Sequence, residues 1–148
     1  MDQAKWRQLR YLARLCGVET AYRDVTGIRR EALPEALMAA LRALTVPLES
    51  LAKVDAAITE VRLKRARQVS PPVAVAWEGA PLRLRLCLPL GQAESGITIS
   101  LAFDDGKVLS AAFDLALLPR RQFLKVAGEE FAVKELILPW RLPFGYHR

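Results

Sequence analysis

The chain holds two cysteines and one histidine, and each scarcity closes off a kind of chemistry. Cys16 and Cys87 lie one in each half, with neither CxxC spacing nor companions for a metal-ligand set. That favours two reduced, buried thiols over a disulfide or a metal centre. His147 has no serine or cysteine arrangement to make it a base. No activated nucleophile and no glycine-rich phosphate loop occurs, so neither covalent catalysis nor nucleotide binding is written in the residues, and no cofactor is expected. No apolar run approaches the ~20 residues that span a bilayer. The N-terminus, Met-Asp-Gln-Ala-Lys-Trp, lacks the apolar stretch of a signal peptide. The expected setting is the cytoplasm, with no membrane partner.

At 148 residues the chain is long enough for one full domain or two small ones. A net charge of +6 raises a nucleic-acid reading, but the excess is local. Residues 1–70 carry 13 Lys/Arg against 8 Asp/Glu, and residues 71–148 carry 9 against 8.

The first half reads as helix. Trp6, Leu9, Leu12, Ala13 and Cys16 recur at three and four residues, with Arg7, Arg10 and Arg14 opposite, which predicts an amphipathic helix with Trp6 as a core anchor. Gly17 stands where a helix needs a left-handed residue to stop, and Gly27 where a polar run must reverse. Tyr22–Asp24 and Ile28–Arg30 predict a small two-stranded turn around Thr26-Gly27. Pro34 and Glu35 open a second helix, with Leu37, Ala40, Leu41 and Leu44 as its buried face. After the Val46-Pro47 break, Leu51, Val54, Ile58 and Val61 space a third helix. Its end is basic, through Arg62, Lys64, Arg65 and Arg67. Cations there complement the negative end of the helix dipole, and no interleaved aromatics offer base stacking.

At Ser70-Pro71-Pro72 the period changes to two. Val73–Trp77 is expected as a first strand with Trp77 in the core, because it shares parity with Val73 and Val75. Leu82–Leu88 follows, leucines one way and Arg83, Arg85 and Cys87 the other, as in a half-buried antiparallel strand. Ile97–Phe103 alternates likewise. Asp104-Asp105-Gly106-Lys107 is a hairpin signal into Val108–Phe113. Ala127-Gly128-Glu129 joins Phe123–Val126 to Phe131–Leu138. About six short strands with turns between them predict a sandwich rather than a barrel. Leu142-Pro-Phe-Gly-Tyr-His147 reads as the corner into a further strand, with a tyrosine hydroxyl bonded to upstream backbone. A complete sandwich of this type needs strands beyond Arg148, and an open sheet edge invites association. The chain is therefore expected to be a piece of a longer protein, able to self-associate through that edge.

The fold class read from these residues is α+β in two small domains. A three-helix module covers residues 1–69, and an immunoglobulin-like antiparallel β-sandwich lacking its last strands covers 70–148. The order of parts carries a resemblance. Leu12–Gly27, Arg29-Arg30, the helix to Leu44, Val46-Pro47, Pro71-Pro72 and the terminal Leu-Pro-Phe-Gly-Tyr-His resemble the N-terminal extension of bacterial 4-α-glucanotransferases, the amylomaltases or disproportionating enzymes. Departures are Pro34 in place of a polar helix cap, Thr45 in place of a helix-ending glycine, and Thr26 where a tryptophan is common.

The resemblance implies transfer of α-1,4-glucan segments between maltodextrins, with retention through a covalent glycosyl-enzyme and without metal or nucleotide. Its two carboxylates belong to a (β/α)₈ barrel downstream in the same polypeptide, so no catalytic residue falls in this chain and it should be inactive alone. Asp24, Asp104, Asp105, Glu129 and Glu130 are read as turn and surface acids. Trp77, Trp140 and Tyr146 are the aromatics nominated for stacking on α-1,4-glucan. The alternatives are a small basic nucleic-acid-binding module, which the charge placement argues against, and a protein-interaction module that borrows a strand.

Overall fold

The computed structural model describes residues 3–148, which divide into two compact units, one ending at Arg65 and the other Ala66–Arg148. In the first, α1 (Gln3–Leu15) is followed by β1 (Ala21–Arg23), β2 (Arg29–Glu31), α2 (Pro34–Ala43) and α3 (Val54–Arg67), whose last two residues belong to the second unit. Leu9, Leu12 and Ala13 of α1, Leu37 and Leu41 of α2, Val46, Leu48, and Val54 and Ala57 of α3 form one buried core, with Trp6 packed at its margin. Each fully buried leucine contributes about 1.5–3 kcal/mol, so the helical spacing seen in the sequence is what holds this unit together.

Both of its first two helices stop in the same way. After α1, Gly17 at φ +78° donates its N–H to the Arg14 carbonyl (3.0 Å) and Val18 donates to Ala13 (2.9 Å). After α2, Thr45 at φ +59° donates to Arg42 (2.9 Å) and Val46 to Leu41 (3.0 Å). These paired bonds are the Schellman ending, built once on glycine and once on a β-branched residue. The α2 start likewise lacks a side-chain cap: Leu33 occupies that position and Pro34 follows.

The second unit holds β3 (Arg83–Pro89), β4 (Gly96–Ala102), β5 (Val108–Asp114), β6 (Arg120–Val126) and β7 (Glu129–Ile137). They form two antiparallel sheets, ordered β3-β7-β6 and β4-β5. Leu86, Leu88, Ala132, Leu136 and Leu138 from the first sheet side meet Ile97, Ile99 and Phe113 from the second, with Leu115 between them, in one core. This is a β-sandwich. Beside β4, Arg148 and Ala102 exchange both main-chain hydrogen bonds (2.6 and 2.9 Å), a first antiparallel rung along that strand.

Three expectations need correction. Residues 73–77 form no strand and have no ladder partners among the described residues. Trp77 is not in the core but 76% exposed, along with Val73 and Val75, and it is Ala76 that packs inward. Val-Ala-Val-Ala-Trp is apolar on both parities, so the period fixes no face, and a slip of one residue turns every large side chain outward. The strands of this unit therefore number five rather than six. Lastly, Tyr146 is anchored by its main-chain N–H on Asp104 (2.9 Å), not by its hydroxyl.

Candidate functional site

The nominated aromatics do not converge. Trp77 stands at the first position of a tight turn: the Ala80 N–H donates to its carbonyl (2.8 Å), with Glu78 at φ +51° and Gly79 at φ +72° between them. Two successive left-handed residues define a type I′ turn, and it presents the indole to solvent. Trp140, by contrast, is half-buried against the sandwich core beside Leu142. Tyr146 is 92% exposed. Among the described residues no ring contact joins the three.

The segment that carries Tyr146 is fixed from below. Asp104 Oδ2 accepts the Tyr146 N–H, and Gly145 (φ +148°) passes so close that a Cβ there would lie 2.6 Å from the same oxygen. The His147 ring lies against Phe103, centroids 4.9 Å apart, and its Nε2 bonds the Pro143 carbonyl (3.0 Å). With those groups turned inward, the rings of Phe144 and Tyr146 turn out; Phe144 is 97% exposed. Phe144, which is not among the nominated aromatics, shares the outward parity of Tyr146 in the alternation Phe-Gly-Tyr-His.

The acids read as turn residues are engaged as such. Asp24 Oδ1 accepts from the Thr26 hydroxyl (2.6 Å) and from the Thr26 and Ile28 N–H groups (3.0 Å each), while Oδ2 accepts from Arg30 Nε (3.0 Å). The Thr26 hydroxyl bond is the largest influence holding this carboxyl below the usual aspartate range. Asp105 accepts the Lys107 N–H (3.0 Å), Glu130 pairs with Lys125 (3.1 Å), and Glu129 is clamped by the Arg67 guanidinium. That last pair neutralises part of the basic end of α3. Both cysteines are free, and burial pushes each thiol up. Among the described residues no three His, Cys, Asp or Glu side chains gather as metal ligands, and no helix is long and apolar enough to cross a membrane.

A second feature went unforeseen. Arg83, Arg85, Arg121, Gln122, Val133, Lys134 and Glu135 line a groove of about 290 Å³ on the β3-β7-β6 sheet, where Arg83, Arg85, Val133 and Glu135 share the parity opposite the core residues Leu86, Ala132 and Leu136. Arg85 stands directly across from Glu135 in the β3–β7 pairing. An irregularity between Arg120 and Gln122 inserts Arg121 out of register on β6. Arg83 Nη1 donates to Glu135 Oε1 (2.8 Å), Arg121 Nη2 lies 3.6 Å from Oε2, and Arg85 Nη2 donates to Gln122 Oε1 (3.1 Å). The hydrogen bond from Arg83, with the positive charge of Arg121, keeps the Glu135 carboxyl below its ordinary range. The sequence shows Arg83 and Arg85 as the outward parity of a strand; the bulge that adds Arg121 has no sequence signal.

Comparison with known proteins fits this architecture. The sequence profile described as MalQ N-terminal beta sandwich domain matches residues 69–148, more than half of the chain. No curated protein sequence matches the chain. Among solved structures, the crystal structure of amylomaltase from Corynebacterium glutamicum is similar, with a TM-score of 0.68 at 24% identity over 96% of this chain and 20% of that one. The chain thus spans about a fifth of the length of that protein, and the likeness carries the fold, helical unit included. With the profile matching residues 69–148, the greater part of the chain and nearly all of its sandwich unit, the chain belongs to the MalQ N-terminal β-sandwich domain family.

Proposed function

We propose that this chain is the non-catalytic N-terminal region of a cytoplasmic 4-α-glucanotransferase, organised as modules 1–69 and 70–148, with the catalytic barrel as partner in the same polypeptide. The observation that carries the reading is the pairing of family membership with a likeness that covers nearly all of this chain but a fifth of an amylomaltase. Its role is accessory: to steady the barrel and to hold long α-1,4-glucan near it. Flat rings suit the apolar faces of pyranose units, and Trp77 and Tyr146, exposed to 76% and 92%, are the residues that offer them. Trp140 is the lesser contributor, since its ring is committed to packing.

Affinity electrophoresis in gels cast with amylose or glycogen tests the sugar-holding part. Retardation of the chain that W77A and Y146A each reduce supports it, and mobility identical to that in plain gel removes it, leaving the structural role. In the parent protein, W77A should raise KM for long glucans while leaving turnover of short maltodextrins unchanged.

A further inference from the structure

The groove over the β3-β7-β6 sheet has a charge balance that internal pairing leaves unsettled. Three guanidinium groups, those of Arg83, Arg85 and Arg121, face one carboxylate, Glu135. Lys134, which also borders the groove, sends its ammonium inward to the Leu115 carbonyl. Arg85 makes its one side-chain bond to a neutral amide, Gln122, and meets no carboxylate among the described residues. The groove thus keeps two uncompensated positive charges on a surface whose floor, Val133, is 3% exposed.

The donors are also held in place. Arg83 and Arg85 project from the strand paired with central β7, the bulge aims Arg121 toward the same carboxylate, and Gln122 braces Arg85. Guanidinium forks match the paired oxygens of a tetrahedral oxyanion, and bracing reduces the ordering cost of binding. The groove contains no aromatic ring, so neither a base nor a pyranose face has a stacking surface there, and its size suits a single small group.

We propose that this groove binds a phosphate group, either inorganic phosphate or that of a small monoester. The anion sits between Arg85 and Arg121, with the Gln122 amide N–H as a neutral donor, and competes with Glu135 for the outer guanidiniums. This site is separate from the glucan reading and stands or falls without it.

The test is a titration of the isotope-labelled full chain with inorganic phosphate, followed by amide chemical shifts at constant ionic strength. Saturable shifts at Arg85, Gln122 and Glu135, with a Kd on the order of 1 mM, are expected. R85Q should weaken binding about tenfold, the effect of one charge-assisted hydrogen bond, while E135Q, which removes the competing carboxylate, should tighten it severalfold. Both side chains are at the surface, and unchanged far-UV melts verify the fold of each variant. A hexose monophosphate run in parallel identifies the source: tighter binding than phosphate assigns the ester, and equal binding assigns the bare anion. Shifts that chloride reproduces at equal ionic strength overturn the proposal, as does weakening by E135Q to the same degree as by R85Q.

Discussion

The two helix endings of the first unit form an internal control for the energetics of a left-handed residue. Thr45 holds φ +59° with its side chain in solvent and no hydrogen bond from its hydroxyl to the described residues. The equivalent Gly17 holds φ +78°, and the hydrogen-bond pattern around the two is the same. An L-residue in this region costs roughly 1–2 kcal/mol, and a β-branched one is a true outlier. Against that, glycine gives the unfolded chain extra freedom that costs about 0.4–1 kcal/mol. Thr45→Gly should therefore stabilise the first unit by about 0.5–1 kcal/mol, a rise of roughly 2–8 °C in its melting temperature. Thr45→Asn should gain part of that and Thr45→Ala little. The reciprocal change, Gly17→Ala, meets no heavy atom within 4 Å of the new Cβ, so its cost is torsional, about 1 kcal/mol. Denaturant and thermal melts followed by far-UV ellipticity, which the helices dominate, measure all four. A T45G protein no more stable than the parent, or T45A equal to T45G, refutes the reasoning, because the left-handed backbone would then not be the source of the strain.

The same logic applies to the β6–β7 hairpin, where Ala127 (φ +51°) and Gly128 (φ +83°) form a two-residue type I′ turn. Ala127→Asn should raise the stability of the second unit by about 0.5–1 kcal/mol, read from its thermal melt. Asp24 has its carboxyl lowered in the folded state, so its contribution is present above the unfolded aspartate pKa and is lost as pH falls through the folded one. Hydrogen-exchange protection of the Thr26 and Ile28 amides should decline over that acid range in the parent and be absent at all pH values in D24A. Lys134, 5% exposed on β7, has a buried stem on the parity of Ala132 and Leu136, while its ammonium donates to the Leu115 carbonyl, which also accepts from the Leu118 N–H (3.2 Å). Lys134→Ala should cost about 2–4 kcal/mol through lost packing, and Lys134→Met should retain most of the stability; equal losses would assign the effect to the hydrogen bond instead.

What the sequence made legible was whatever contrast in polarity made plain. Helix α1 follows a stripe of apolar residues opposed by arginines, α2 opens on Pro34-Glu35 ahead of the buried Leu37 and Leu41, and β3 and β4 largely alternate leucine or isoleucine with charge or hydroxyl. The turns at Gly17, Gly27 and Gly106 were legible because only one residue type fits them at no cost, and each holds positive φ. At Val73–Trp77 the contrast is absent, since alanine and valine are both apolar, and the pattern then carries no information about which parity is buried. The arginine groove was half legible for a related reason. Parity shows that Arg83 and Arg85 share a face, but only pairing brings Glu135 beside them, and only a bulge brings Arg121.

The exposed aromatics follow from how the chain spends its anchors. Around Asp104, the main-chain N–H of Tyr146, the tight passage of Gly145 and the His147 ring on Phe103 hold the terminal segment. None of these contacts uses a large apolar ring of that segment. Phe144 and Tyr146 are left in solvent although burying either would contribute on the order of 2 kcal/mol. At the other turn, Trp77 is exposed while small Ala76 takes the place against the core. Two segments of one sandwich unit thus keep their largest rings out while polar and main-chain contacts do the holding. An exposed aromatic held on a fixed turn is preorganised for a partner that meets it. That is why W77A and Y146A should leave the melting temperature of this chain nearly unchanged while, under the proposed glucan-holding role, they weaken retardation in amylose gels, a combination that core residues do not give.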